Sequence, residues 1–500
     1  MLDKHLLNLK TNFNNYVKKN LDSKFLSEEY FDKFIRIIDL FSKKPLTTQK
    51  QIFDILNFSN KKELIDINKV IINSDLAQQI ILKDGIGKKY WNTVIPFADI
   101  TSASISNDYL FPKRIALFPG VSCMFYCGFC GRDQSQKYPL NIVTESQKTF
   151  EILFSQIPKT TALSISGGLE PLTNPSIGNI ISAANKNGIK VPLITNGFSL
   201  TENFVKKNPG IWKLDSLRVS LYGVDKDSYS FITRVDKSFD IVKRNTINFL
   251  KQRNIINKNL KFGFNFIVIP ENINQLNGVL DLIKEINDQV DNGSGIDFLT
   301  LRDDYQSVTG TSEETDVNRK YRLNSKMDED IRNKLITKLD DFDLKKKRLC
   351  PDLYIDYGYS LEALSKKSFD RELLKVNSED MRKFGFTQMS VAIDLFGDVF
   401  LFREAGFLNR SGNEKFIIGR ISQQRSLEDV IKSFLNNKVP LNYQDQDERF
   451  MDSFDHVLTL LVNQAEKDQD FGIPFNLGPI KDRSENKNIN LGNNWYSEKN

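Results

Sequence analysis

The sequence predicts an α/β fold of six successive strand-helix units, and three observations carry that expectation. Short apolar runs recur through the middle of the chain: "RIALF" near 114, "TALSIS" at 161, "VPLIT" at 191, "SLRVSLYG" at 216, "FGFNFIVIP" at 262 and "IDFLTLR" at 296. Such runs suit strands buried on both faces of a parallel sheet. Amphipathic segments lie between them, and helices that pair each strand with the next produce either an open doubly wound sheet or a barrel. In both, chemistry gathers in the loops after the strands' C-terminal ends.

The chain has 500 residues, 40% hydrophobic and 27% charged. That composition buries a sizeable core, and the length calls for two or three units. A net charge of +5 is far from the concentrated basic face of a nucleic-acid binder. No apolar stretch approaches the roughly 20 residues that span a bilayer. The opening "MLDKHLLNLKTNFNNYVKKN" lacks the apolar core and cleavage site of a secretion signal. A cytoplasmic protein with no nucleic-acid or membrane partner is expected.

Residues 1–105 read as helical. Phe31, Phe34, Ile35, Ile38 and Phe41 share one face at helical spacing, and Thr48 with Gln51 makes a capping box. Residues 106–306 form the β/α core. Its first helix is expected near Thr144, capped by Gln147, with Phe150, Leu153, Phe154 and Ile157 buried; a later one carries Leu276, Val279, Leu280, Ile283, Ile286 and Val290. Residues 307–467 are expected as a C-terminal α+β accessory region. It opens on a polar loop and a helix around 328–346, followed by a strand at 353 and a hairpin turning near Phe396 and Gly397. Residues 468–500, rich in Asn, Lys, Asp and Gly, read as a flexible tail. The basic run "KKKRLC" ending at Cys350 reads as a solvated face, with docking of an acidic electron carrier or of a pyrophosphate as the alternative.

Three of the four cysteines, Cys123, Cys127 and Cys130, sit in "GVSCMFYCGFCGRD" just after the first strand. A structural zinc needs four protein ligands, yet His5 and His456 are remote and Cys350 is the one spare thiol. A redox dithiol in "CGFC" leaves Cys123 without a purpose. An iron-sulfur cubane held by three cysteines leaves one iron open to a substrate or cofactor.

The spacing C-x3-C-x2-C, with Phe129 before the third cysteine, resembles the signature of the radical S-adenosylmethionine (SAM) superfamily. The resemblance implies a partial (β/α)6 barrel, a 4Fe-4S cluster on the three cysteines, and SAM at the open iron. It extends to "SISGGLEPLTNP", where Gly167 and Gly168 let backbone carbonyls approach the SAM amine. Glu170 there follows an inserted Leu169. Asn196 in "TNG" and Ser220 and Tyr222 in "VSLYG" complete the cofactor contacts that it implies. Taken singly, each of these reads first as a turn or packing residue; it is their order on successive strands that favours the resemblance.

Outside the generic signature, "KKYWNTVIPF" at 88, "SLYGVDKDSY", "IDFLTLRDDY", "IDYGYSL", "GDVFLFREAGF" and "FMDSFDHV" near 450 resemble the radical SAM ammonia-lyases (deaminases) that act on TDP-4-amino-4,6-dideoxyglucose in desosamine biosynthesis. That resemblance implies hydrogen abstraction at C3 of a nucleotide-linked amino sugar and loss of ammonia at C4. It also implies a low-potential electron donor such as flavodoxin or ferredoxin. Proton management at C3 and C4 falls to Asp303, Tyr305, Asp356, Tyr357, Arg403 and Glu404 as candidates, with Arg302 or Arg403 for the diphosphate. For "FREAG" the competing reading is a surface ion pair beside a strand. Two other functions stay open: a radical SAM dehydrogenase or epimerase on a related sugar, and a non-catalytic cluster or metal protein.

Overall fold

The computed structural model describes residues 5–44, 46–81, 103–127, 130, 136–159, 161–290, 295–303, 329–357, 386–438, 441–444, 447, 450–451 and 453–475. The chain divides into two compact units, one of residues 1–108, 372–380 and 456–490, the other of residues 109–371, 381–455 and 491–500.

The larger unit is built on one ten-stranded sheet. Its six expected strands are β1 (Arg114–Leu117), β2 (Ala162–Ile165), β3 (Pro192–Thr195), β4 (Ser216–Leu221), β5 (Lys261–Val268) and β6 (Phe298–Asp303). They pair in parallel in chain order. The sheet also takes in β7 (Tyr354–Tyr357), parallel to β6, and β8 (Ser390–Ile393), parallel to β1. The antiparallel strands β9 (Asp398–Phe400) and β10 (Ile417–Arg420) finish that edge, giving the order β10-β9-β8-β1-β2-β3-β4-β5-β6-β7. Much of the expected accessory region therefore extends the core sheet. Gly397 turns the β8-β9 hairpin at φ +80°, a left-handed conformation that favours glycine.

Each face of the sheet has its own chemistry because side chains alternate along a strand. Leu217, Val219, Phe262, Phe264, Phe266, Leu299 and Leu301 are fully or almost fully buried in the hydrophobic core. Phe262 meets Phe249 of the helix Ser238–Ile256, with ring centroids 5.7 Å apart, so this face is the one the helices cover. The opposite, inner face carries Arg218, Ser220, Asn265 and Thr300.

The first helix of the core runs from Ile142 to Gln156, two residues ahead of expectation. Bonds from Ile142 N to Pro139 O and from Val143 N to Leu140 O start it in a turn, so Thr144 caps nothing and Gln147 bonds Glu151 instead. Its stripe is buried as expected, and so is that of the helix Leu276–Asp288. The helix near 328–346 runs from Glu329 to Leu349.

In the smaller unit the helices include α1 (Leu6–Asn20), α2 (Glu28–Lys43), α3 (Gln49–Ile55), α4 (Lys61–Ile72) and α5 (Asp75–Gln79). Phe31, Phe34, Ile38 and Phe41 are buried on α2 together with Ile37, while Ile35 is half-buried. The Thr48-Gln51 capping box is present. Residues 456–475 of the described chain also belong to this unit, most of them in the helix Ser453–Asp470. Asp468, expected in the tail, is buried in that helix and accepts a 2.6 Å bond from Gln49 N. Residues 476–500 lie outside the described residues.

Candidate active site

The cysteine loop leaves β1 through Gly120, where a Cβ would stand 2.6 Å from the carbonyl carbon of Leu169. Only glycine lets the loops after β1 and β2 run backbone to backbone there. Hydrogen bonds then fasten the two together. Glu170 N donates to Ser122 O at 2.9 Å, and Asn174 Nδ2 to Pro119 O at 2.8 Å. Thr173 Oγ1 accepts from Val121 N and Ser122 N at 3.0 and 3.1 Å. At the far end of the loop Tyr138 N donates to Val121 O at 2.8 Å, and the Tyr138 hydroxyl donates to Asp394 Oδ2, also at 2.8 Å.

Between those ends, Phe125 packs edge-on against Phe198, Tyr222 and Tyr229, with centroids 5.6, 5.8 and 6.2 Å away. Tyr126 N donates to Thr233 O at 2.9 Å, and Cys130 N to Cys127 O at 3.0 Å. Cys127 is buried; Cys123 and Cys130 are half-buried, and none of the three is in a disulfide. Tyr222 thus sits under the loop, where burial and the neighbouring Cys127 push its hydroxyl well above the usual range.

Glu170 is a buried carboxylate that bridges the ends of β2 and β3. It accepts from Thr195 Oγ1 at 2.5 Å, Asn196 N at 2.7 Å and Leu172 N at 3.0 Å. Burial raises its pKa while these three bonds work in the other direction. Asn196, also buried, turns its Nδ2 toward the cysteine loop, 3.0 Å from Met124 Sδ and 3.7 Å from Cys123 Sγ. An amide donor beside a cysteine sulfur tunes the potential of a cluster which that sulfur holds.

The "GG" and "FREAG" motifs meet. A Cβ on Gly168 would lie 3.2 Å from the Phe407 ring and 3.4 Å from Gly406 O. Arg403, half-buried, donates from Nη2 to Ser166 Oγ at 3.2 Å, one residue before Gly167. Glu404 is half-buried beside it, and its carbonyl accepts from Arg410 Nη1 at 3.1 Å. Tyr357 is directed elsewhere: its hydroxyl donates to Asp343 on the helix Glu329–Leu349. Asp356 is half-buried, at the register position beside Thr300. Phe129 and Tyr305 lie outside the described residues, as does the side chain of Asp303.

Among the described residues no three Cys, His, Asp or Glu side chains converge as one metal ion would require. A cubane does not ask that of them, since each thiolate takes a different iron. Three thiols on one clamped loop fit such a cluster. The inner face also fits a polar cosubstrate, because buried Asn265 Oδ1 and Thr300 Oγ1 have no hydrogen-bond partner among the described residues. Sequence reasoning missed both, although a lone Asn in "FGFNFIV" is a visible break in an apolar strand.

The model of the radical SAM superfamily matches residues 117–283. The dTDP-4-amino-4,6-dideoxy-D-glucose ammonia-lyase of Streptomyces venezuelae is 34% identical over 392 residues, spanning 77% of this chain and 78% of that one. The chain belongs to the radical SAM superfamily. Among solved structures, SuiB of Streptococcus suis bound to its precursor peptide SuiA is similar at 16% identity and a TM-score of 0.42, covering 85% of this chain and 81% of that one. Native anSMEcpe with bound AdoMet and Cp18Cys peptide is similar at 13% identity and a TM-score of 0.42, covering 75% of this chain and 99% of that one.

As a radical SAM enzyme the protein uses a 4Fe-4S cluster and SAM. Among the described residues no helix is long and apolar enough to cross a membrane.

Proposed function

We propose that this radical SAM enzyme deaminates a nucleotide-linked 4-amino-4,6-dideoxy sugar. C3 gives up a hydrogen atom, and the C4 amine leaves as ammonia together with the C3 hydroxyl proton. The C4-centred radical of the resulting 3-keto sugar takes one electron from the low-potential donor and one proton to become a methylene, so the sugar carbons undergo no net oxidation. The observation that carries the reading is the 34% identity to the ammonia-lyase over 392 residues. It reaches well outside the 117–283 segment that the superfamily model matches.

The bound cluster and SAM supply a 5′-deoxyadenosyl radical that removes the substrate hydrogen. The chain's own residues bind, orient and shield. Gly167 and Gly168 offer carbonyls to the SAM amine, with Asn196, Ser220 and Tyr222 and, before the third cysteine, Phe129 around it. Glu170 acts by fixing the β2 and β3 loops in place. Arg403, beside Ser166 and the glycine turn, is suited to a diphosphate oxygen. Glu404, Asp303 and Tyr305 are the candidates to take and return the protons of the C3 hydroxyl and the C4 amine. A flavodoxin or ferredoxin would supply the electron in the cytoplasm.

Anaerobic loading with iron and sulfide should give a brown protein with about four irons per chain. With strong reductant, SAM and TDP-4-amino-4,6-dideoxyglucose it should release 5′-deoxyadenosine, ammonia and a 3-keto sugar. Sugar oxidation without ammonia would replace this reading with a dehydrogenase. SAM left intact would remove radical chemistry altogether.

A further inference from the structure

Ser220, Asn265, Thr300 and Asp356 are successive register partners on β4, β5, β6 and β7. With neighbouring strands about 4.8 Å apart, the four side chains rise in one row from the inner face. The two in the middle are sequestered, with Asn265 3% and Thr300 4% exposed. Asn265 Oδ1 and Thr300 Oγ1 nevertheless lack a hydrogen-bond partner among the described residues. A buried acceptor with no donor is destabilising, and native proteins seldom keep one that nothing satisfies. Valine would fill the place of Thr300 and leucine that of Asn265 at no such cost. Two adjacent orphans, Asn265 between Phe264 and Phe266 and Thr300 between Leu299 and Leu301, mark a place where a ligand brings the donors.

The row has a floor. One layer deeper, the Phe298 ring lies over Gly263, where a Cβ would come within 2.4 Å of it, and the Arg218 guanidinium stands 5.7 Å from the ring centroid. A ligand therefore reaches the row from the strands' C-terminal end, where the cysteine loop also lies. The acceptors are an amide oxygen, a hydroxyl and, on β7, the half-buried carboxylate of Asp356. Each of these oxygens can accept from an ammonium, which has three donors and no acceptor.

We propose that Asn265 and Thr300, flanked by Asp356, form the subsite that recognises the C4 ammonium of the amino sugar. This rests on the deaminase reading above. SAM also carries an ammonium, so the test separates the two sources.

The experiment is anoxic calorimetry on cluster-loaded protein without reductant. SAM is titrated first; then, at saturating SAM, TDP-4-amino-4,6-dideoxyglucose is compared with the same nucleotide sugar bearing a 4-hydroxyl. Wild type should prefer the amino sugar by about tenfold or more. Thr300→Val and Asn265→Leu should each weaken the amino sugar about tenfold, erase most of that preference and leave SAM affinity within about twofold. Thr300→Ser, which keeps the hydroxyl, should bind as wild type does. Thr300→Val should also melt no lower than wild type, because it removes an oxygen that no described residue bonds.

Equal binding of both sugars by wild type, which needs no variant to fold, overturns the proposal while leaving the deaminase reading standing. So does unchanged amino-sugar affinity in both apolar variants. Variants that weaken SAM but not the sugar assign the row to SAM and overturn it as well. Wild type that binds neither sugar takes down the deaminase reading and the subsite together.

Discussion

Around the cysteines, polar groups on the loops after β1, β2 and β3 are bonded to one another. Thr173 takes two backbone N–H groups of the cysteine loop, Glu170 takes three donors, and Tyr138 closes the loop onto Asp394. Across the sheet, on β5 and β6, Asn265 and Thr300 are as deeply buried yet hold acceptors with no partner among the described residues. In the first region the protein's own groups satisfy one another and fasten the two ends of the cysteine loop. In the second, no described residue supplies a donor, and under the proposal above the ligand would bring it. Interior polar atoms thus serve two ends here, rigidity where a cofactor is built in and recognition where a ligand comes and goes.

The largest effect that breaks the first region comes from its thiols. Cys127→Ala should drop iron from about four per chain to well below that after anaerobic loading, and abolish 5′-deoxyadenosine release. Cys350→Ala is the control. Cys350 is buried between the helices Leu276–Asp288 and Glu329–Leu349, with its Sγ 3.9 Å from Leu280 O, and burial raises its pKa. Iron content should be unchanged there, and equal loss from both variants would refute the assignment of the three-cysteine loop.

Glu170 sharpens the comparison next. Glu170→Ala strands the Thr195 hydroxyl and the backbone N–H groups of Asn196 and Leu172. Leaving buried donors unpaired costs about 1–3 kcal/mol each, and partial relaxation brings the expected total to roughly 3–5 kcal/mol. Chemical denaturation of the two proteins reads this directly. A loss below about 1 kcal/mol would mean that the carboxylate does not hold the loops.

Apolar runs announced β1 to β6 because strands covered on both faces carry their burial in their own composition. The cysteine spacing announced the cluster loop because iron ligation constrains residue type and separation together. Other features depend on partners far away in the chain. Nothing within "SVAIDLF" distinguishes a strand of a separate hairpin from one that pairs in parallel with β1. Gly168 was legible as a glycine turn, but its second use, admitting Phe407 and Gly406, is set by a segment more than two hundred residues on. The start at Ile142 was missed because the turn from Pro139 competes with a plausible cap at Thr144. Arg403 was balanced between a surface ion pair and a site residue, and its bond to Ser166 is visible only once β2 and the β9 turn are side by side.

The smallest effect concerns the latch at the base of the cysteine loop. Burial pushes the Asp394 carboxyl up to about 7, with Asp398 nearby adding to the rise and bonds from the Tyr138 hydroxyl and the Asp398 and Phe396 N–H groups opposing it. Arg420 faces the same cluster through its paired bonds to Asp398 at 2.7 and 2.8 Å. Above about pH 4 the unfolded chain has shed this proton, whereas the native carboxyl keeps it until about 7. The native state therefore binds more protons in that window, and stability falls as pH rises through it. The slope contributed is at most about 1.4 kcal/mol per pH unit. An asparagine side chain in its place mimics the protonated acid, its oxygen accepting the two backbone N–H groups and its amide facing Tyr138, with no proton to lose. Between pH 5.5 and 7.5, Asp394→Asn should melt with a flatter pH dependence than wild type and gain on it most at the alkaline end; parallel curves would show that Asp394 is already ionised in the folded protein.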